Sequence, residues 1–131
     1  HALFDSVRGV QKYLQPNTSS DEQTSSSGIT SFDSNGFTIG GDLNPINSSG
    51  DSFVAWCLKA NGAGSSDDSG GITVTRSTAS HQGFSICKGT SGTGTQNFAH
   101  GLGANQKWLS LETRRITANI GKSNIKTLIL T

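Results

Sequence analysis

Apolar residues recur at every second position in several short segments of the chain, which is the pattern of half-buried β-strands. Residues 30–32 and 37–39 alternate in this way on either side of Asp33-Ser34-Asn35-Gly36. Asn-Gly is a strong turn dipeptide because both residues tolerate positive φ angles. The pattern therefore predicts a tight β-hairpin or corner between residues 30 and 39.

The most continuous apolar stretch is Ser52–Lys59 (SFVAWCLK). Its length and its aromatic and β-branched content favour a central strand of a sandwich over a helix. Alternate side chains of a strand point to opposite faces, so this strand is apolar on both and must be covered on both. We therefore expect Trp56 and its neighbours to be buried.

The second half of the chain has five further short segments with the composition of β-strands, which are residues 72–75, 83–87, 97–100, 107–111 and 127–130. A Thr/Gly turn is expected at residues 89–94. Together the segments predict an all-β protein, built as an antiparallel β-sandwich such as a jelly roll. The side chains expected in its core are Phe37, Phe53, Trp56, Phe84 and Trp108.

Two polar stretches divide the chain. Residues 17–28 hold no large apolar side chain and predict a surface loop. Residues 61–71 are rich in Gly and Ser and predict a flexible linker or loop. The expected organisation is a β-sandwich portion at 1–60, the linker at 61–71, and a second β portion at 72–131. That second portion either completes the same sandwich or starts another repeat.

The composition narrows the class of protein. The chain of 131 residues has 31% hydrophobic residues, 15% charged residues and 17 glycines, which favours short strands joined by many turns. Its formal charge of +1 gives no reason to expect a nucleic-acid or membrane-surface partner. No apolar run approaches the roughly 20 residues that span a bilayer. Because the chain begins with His1 and lacks Met, we expect it to be processed or part of a longer polypeptide.

Several longer phrases resemble a repeat found in structural proteins of tailed phages, including marine phages and cyanophages. Residues 30–40 (TSFDSNGFTIG) and 46–60 (INSSGDSFVAWCLKA) are similar to its "FTLG" strand and the "YVAWCWKA" strand that follows. Residues 83–86 (GFSI), 98–103 (FAHGLG) and 107–108 (KW) resemble the "GFSI…HGLG…PK" opening of a following repeat. Gln106 stands where the family usually has proline, and residues 109–131 match poorly.

This resemblance implies a concanavalin-type, lectin-like sandwich in a fibre, tail-associated or capsid-surface protein. In that picture Phe53–Lys59 closes one sandwich and Phe84 opens the next. The expected location is the virion surface or another extracellular site, and the expected partners are other virion proteins, further copies of the chain and a host-surface glycan. Assembly and host adhesion are then the leading function, and a carbohydrate-binding lectin domain is the alternative.

Catalysis is disfavoured by the residues themselves, so we expect no catalytic residue. The chain has no G-x-S-x-G elbow, and His100 lies before a Gly-Leu-Gly turn, where its ring is expected to bond to turn backbone. His81 offers no better catalytic pattern. The aspartates lie mostly in polar or turn contexts rather than in an apolar pocket that would raise a carboxyl pKa. A polysaccharide depolymerase is therefore the third and least favoured reading.

Three loop residues are the candidate glycan ligands: Asn35, Asp67 and Asp68. No cofactor is expected and no metal site is predicted, although Asp67-Asp68 in its glycine loop is the candidate should Ca²⁺ bind. The two cysteines, Cys57 and Cys87, lie 30 residues apart without a metal-binding spacing. Buried thiols are favoured over a disulfide, and the sequence leaves that choice open.

Overall fold

The computed structural model describes residues 1–44, 46–105, 109–116 and 123–130, the last two ranges through their backbone alone. Within these ranges the chain forms antiparallel β-strands, turns and extended segments, with one 3-10 turn at Ser80–Gln82. None of the described helical segments is long and apolar enough to cross a membrane. The all-β, antiparallel, sandwich-like fold class is therefore confirmed.

The described part of the chain contains nine strands in three sheets. They are β1 Lys12–Tyr13, β2 Gln23–Thr24, β3 Ile29–Asp33, β4 Gly36–Ile39, β5 Ser65–Asp67, β6 Val74–Ala79, β7 Phe84–Thr90, β8 Leu109–Ile116 and β9 Ser123–Leu130. Two small sheets pair β1 with β2 and β3 with β4, and the main sheet has the order β5-β6-β7-β9-β8. Every pairing is antiparallel.

The predicted hairpin is confirmed as β3 and β4. Asp33 pairs with Gly36, which leaves Ser34 and Asn35 as the two-residue loop. Neither Asn35 nor Gly36 adopts a positive φ angle. The centre of the turn is therefore Ser34-Asn35, one residue before the Asn35-Gly36 dipeptide. The turn forms without the left-handed backbone conformation that Asn-Gly permits.

The main sheet is covered on both faces around β7. Phe84 and Ile86 on one face form a core with the partly buried side chains of Leu3, Val7 and Ala60. On the opposite face lie Ser85 and Cys87, both fully buried. Residues 98–101 cross that second face, where the Thr78 hydroxyl donates to the His100 carbonyl at 3.1 Å. Two layers of chain thus enclose β7.

The N-terminal residues form a second packed region. Leu3 and Leu14 make an isolated antiparallel bridge, and the rings of Phe4 and Tyr13 stack with their centroids 5.2 Å apart. Leu14 and Ile29 are buried. Because Leu3 also contacts the core beneath β7, this region is continuous in space with the main sheet.

The expectation of structureless polar stretches is only partly right. Residues 17–28 are mainly turns and loop, but they contain β2, which pairs with β1. Residues 61–71, predicted as a linker, contain β5, which pairs with β6. The hydroxyl of Ser77 on β6 also accepts a hydrogen bond from the Asn61 amide at 2.8 Å. Sheet pairing satisfies backbone groups regardless of side-chain hydrophobicity, which is why a Ser-rich segment can form an edge strand.

Two of the predicted strands are wrong. Residues 52–59 belong to no described strand, and they are exposed. Residues 97–100 also form no strand; they lie across the sheet and bond to it through the carbonyls of Ala99 and His100. In both cases the alternation of apolar residues predicted a strand, but alternation does not show whether a neighbouring strand lies beside the segment.

The predicted core is correspondingly mixed. Phe84 is buried, as predicted, and Phe37 is partly buried. Phe53 and Trp56 are exposed, so their assignment to the core is wrong. No described layer covers residues 51–59, although their composition calls for burial. Trp108 lies outside the described residues.

Candidate functional site

The most unusual surface of the molecule is the apolar segment, residues 51–59. Four of its large side chains are solvent-exposed: Phe53 by 60%, Val54 by 83%, Trp56 by 91% and Leu58 by 62%. Single exposed apolar residues are ordinary, but contiguous apolar patches on a soluble protein mark interaction sites. The clustering of these four residues within six positions makes the apolar segment the candidate site.

The backbone of the apolar segment is also unpaired. Residues 52–59 make no hydrogen bond to any other residue that the structure describes. A chain segment whose N–H and C=O groups have no partner can pair with a further strand. The segment thus offers two kinds of interaction, hydrogen bonds along its edges and apolar contacts from its faces.

The apolar segment follows a local turn and is attached to the core at its C-terminal end. The amide of Asp51 donates to the Ser48 carbonyl at 3.2 Å, which closes a turn before the segment. After it, Ala60 packs against Phe84 and Ile86. The exposed residues therefore lie between a turn and one point of attachment to the core. This limits the conformational freedom that binding would have to remove.

The three predicted glycan ligands do not form one site. Asn35 is exposed in the loop of the β3–β4 hairpin, whereas Asp67 and Asp68 lie at the edge of the five-stranded sheet. The Asp67 carboxylate is already engaged, because it accepts bonds from the Ser69 hydroxyl at 2.6 Å and the Ser69 amide at 3.1 Å. Only Asn35 and Asp68 remain fully exposed. Their role in glycan binding stays a prediction.

Asp67 also contacts a cation. The Arg76 guanidinium lies 2.8 Å from the other carboxylate oxygen of Asp67. The side-chain hydrogen bond from Ser69 is the main cause that holds the pKa of Asp67 below its ordinary value. Desolvation acts in the opposite direction and raises this pKa, whereas the charge of Arg76 lowers it slightly further. This carboxylate therefore stabilises the β5–β6 edge as an anion.

A second charged cluster ties the N-terminal loop to β7. Asp5 and Arg8 are buried and form an ion pair. Arg8 Nε lies 3.3 Å from the Glu22 carboxylate, and Lys88 Nζ on β7 lies 3.9 Å from the same group. Because each charge has a partner of opposite sign, the cluster is a structural connection between segments.

The histidines do not form a catalytic arrangement. The Leu102 amide donates to Nδ1 of His100 at 3.1 Å, so the ring bonds to turn backbone as predicted. His81 is exposed in the 3-10 turn. No group of three His, Cys, Asp or Glu residues within the described ranges is placed to hold a metal ion. The Asp67-Asp68 calcium site stays a prediction.

The two cysteines are free and differ in environment. Cys57 is exposed within the apolar segment, whereas Cys87 is buried on β7, so the expectation of two buried thiols is right for only one of them. Desolvation raises the pKa of the Cys87 thiol, opposed by a weak contact with the Ser85 hydroxyl. Cys87 is therefore held as the neutral thiol, while Cys57 is open to solvent.

The sequence pattern identified the apolar segment but wrongly predicted that it is a central strand of the core. Its residues are apolar on both faces, and that signal correctly indicates a need for cover. Hydrophobic alternation carries no information on whether the cover comes from the same folded unit or from another one. An interaction site of this kind therefore resembles a core strand in the sequence.

Comparison with known proteins gives a family match over nearly the whole chain. A family model described as "Domain of unknown function (DUF7483)" matches residues 1–128. The matched range includes the apolar segment as well as all nine described strands up to residue 128. No curated protein matches the chain, and no solved structure does.

Proposed function

The chain belongs to the DUF7483 family, and we propose that it acts as a non-enzymatic structural module on the exterior of a phage virion. The module would belong to a fibre, a tail-associated structure or the capsid surface, and would act by assembly and host-surface adhesion. In this proposal the apolar segment, residues 51–59, is covered when the protein assembles. The observation that carries it is the 91% exposure of Trp56 within an unpaired apolar run.

The energetics of the apolar segment support assembly. Burying a large apolar side chain contributes about 1.5–3 kcal/mol, and four such side chains stand exposed in the segment. An exposed extended strand can also gain main-chain hydrogen bonds when it adds to a sheet, which is a common mode of protein recognition. A partner that can both bury these side chains and form main-chain hydrogen bonds is a β-sheet protein with an open edge and an apolar layer.

The composition supports a module that works in many copies. Serine, threonine and glycine are abundant and only 15% of residues are charged, which suits broad and wet contacts. Contacts that are weak singly become strong when many linked copies bind together. Residues 30–40 and 46–60 resemble structural proteins of tailed phages, and this resemblance supports a virion as the site of assembly.

The non-enzymatic part of the proposal rests on how the candidate catalytic groups are used. The His100 ring bonds to the Leu102 amide, and Asp67 bonds to Arg76 and Ser69. Glu22 lies within 4 Å of two cations. General acid–base catalysis needs a group free to exchange a proton with substrate, and these side chains already serve the fold.

A pair of matched variants tests the proposal. Val54→Ser removes an apolar side chain from the segment, and Val10→Ser makes the same change at an exposed valine elsewhere. We expect Val54→Ser to weaken binding of the chain to its own copies or to other proteins of the source particle by about tenfold or more. Val10→Ser should leave that binding unchanged. Equal binding by both variants, measured by sedimentation velocity, would count against the apolar segment.

Carbohydrate binding is the second candidate, and the exposure of Trp56 favours it. An exposed indole is a suitable platform for stacking on a sugar ring. Asn35 and Asp68 are exposed polar groups of the kind that bind sugar hydroxyls. A glycan array probed with the native chain and with Trp56→Ser decides this: a lectin binds glycans and loses that binding with the variant. A reducing-sugar assay on host polysaccharide tests the less favoured depolymerase.

A further inference from the structure

We propose that the partner of the apolar segment is the same segment of a second copy of this chain. The two segments would pair as antiparallel strands around a two-fold axis at Ala55. This inference rests on the proposed function, since it takes residues 51–59 to be the assembly surface. It adds the identity of the partner, the strand direction and the register.

The two-fold axis fixes which residues face one another. An antiparallel pair centred on one residue is self-complementary, because each residue before the centre faces one at the same distance after it. The resulting opposed pairs are Asp51 with Lys59, Ser52 with Leu58, Phe53 with Cys57, Val54 with Trp56, and Ala55 with Ala55.

Charge selects this arrangement. Asp51 and Lys59 are the only charged residues of the segment and stand at its two ends. Both are exposed, and neither forms an ion pair with another described residue. The antiparallel register places each Asp51 opposite the Lys59 of the other copy, so two attractive pairs form. A parallel in-register pair would place like charges together, which is unfavourable.

Side-chain size and alternation fit the same register. The small Ala55 residues meet at the two-fold axis, so no bulky side chain is opposed to its own copy there. Opposed residues in an antiparallel pair project to the same face, so Val54 of one copy lies beside Trp56 of the other. Phe53 lies beside Cys57 on the opposite face. A slip by one residue would oppose Asp51 to the apolar Leu58, so the register is defined.

The pairing also explains how larger assemblies could form. A ribbon of two segments satisfies one edge of each strand and still has apolar side chains on both faces. Further layers can pack onto these faces, as two sheets do in a sandwich. Ala60 already packs against the core at the end of each segment, and the segment itself is exposed, so pairing needs little rearrangement of the rest of the chain.

A charge swap tests the direction and register. Asp51→Lys and Lys59→Asp each turn both end pairs into like-charge pairs, and each should weaken self-association by about tenfold at low salt. The double variant, Asp51→Lys with Lys59→Asp, restores opposite charges and should return the dissociation constant to within about threefold of the native value. Sedimentation equilibrium measures all four proteins, and circular dichroism shows that each is folded.

Cross-linking tests the axis directly. Opposed Cα atoms in an antiparallel pair lie about 4.5–5.5 Å apart, which suits a disulfide. Ala55→Cys in a Cys57→Ser background should form an interchain disulfide readily under mild oxidation. Ala63→Cys in the same background is the control, since Ala63 is also exposed but lies outside the segment. The control should cross-link much more slowly.

The outcomes separate this inference from the proposed function. Rescue by the double charge swap together with selective cross-linking at position 55 supports the two-fold pair. Failure of either result overturns it. If the native chain stays monomeric but Trp56 is buried in the source particle, the partner is wrong and the proposed function stands. If Trp56 stays exposed in the particle as well, both are wrong.

Discussion

The Arg76 guanidinium lies 2.8 Å from the Asp67 carboxylate, so a salt bridge joins the edge strand β5 to β6. The same guanidinium donates to the Ala99 carbonyl at 3.1 Å. Arg76 therefore connects three segments: β5, β6 and the chain that crosses the sheet at residues 98–101. Ser69 completes the Asp67 site by donating from both its hydroxyl and its amide.

The first prediction concerns the pH dependence of this connection. The bonds from Ser69 and the charge of Arg76 lower the pKa of Asp67 from 3.8, so the folded protein binds this proton less readily than the unfolded chain. The stabilisation is present above pH 3.8 and is lost as pH falls through the lower folded value. Asp67→Asn should therefore be less stable than the native chain at pH 7, and the difference should shrink below pH 3.8. Chemical denaturation at several pH values measures it.

Asp68→Asn is the control for that experiment, because Asp68 is exposed. Its stability should follow the native protein at every pH. A gap between Asp67→Asn and the native chain that is the same at pH 3 and pH 7 would contradict an ionised, bonded Asp67.

The second prediction concerns Gly64, beside β6. Its φ angle is +80°, and a Cβ there would lie 2.5 Å from the Arg76 carbonyl oxygen. Gly62 has a similar φ of +68° but nothing within 4 Å of an added Cβ. Both alanine variants incur the cost of a left-handed conformation, about 1–2 kcal/mol. Gly64→Ala should lose about 1–3 kcal/mol more because its neighbour is backbone, which cannot move aside cheaply.

Thermal or denaturant unfolding of the two glycine variants measures that difference. Equal losses of stability would mean that residue 64 does not approach β6 as closely as the structure shows.

The third prediction concerns the two thiols. Cys57 is exposed and should react with a thiol reagent within the time of mixing, whereas Cys87 is 1% exposed and its pKa is raised by desolvation. The thiolate is the reactive form, so Cys87 should react only when the protein unfolds. At dilutions where the chain is monomeric, the native protein should show one fast-reacting thiol and Cys57→Ser none. Two fast thiols in the native protein would contradict the burial of β7.

Local signals explain what the sequence predicted correctly. The β3–β4 hairpin follows from the turn residues at 33–36 flanked by alternating segments, and β7 follows from its apolar alternation at 83–87. Both signals lie within about ten residues. The β5 strand gave no such signal, because Ser65-Ser66-Asp67 has no apolar periodicity and is a strand only by pairing with β6.

Local sequence signals also failed to reveal the contacts of the candidate site residues. Asp67 was a reasonable ligand by residue type, but Arg76 reaches it from β6, nine residues further along the chain. The segment 51–59 was recognisable as a strand that needs cover, but none of the described residues covers it. A sequence pattern indicates that a side chain is buried or paired, but the identity of the contacting residue depends on the tertiary fold.

Hydrogen–deuterium exchange of residues 52–59 tests the central claim most directly. Exchange is fast where amides are unpaired and exposed, and it slows when they enter a sheet. We expect fast exchange throughout this segment in the dilute monomer and strong protection in the assembled state, while β7 stays protected in both. Protection of residues 52–59 already in the dilute monomer, or fast exchange in both states, would contradict an assembly surface at the apolar segment.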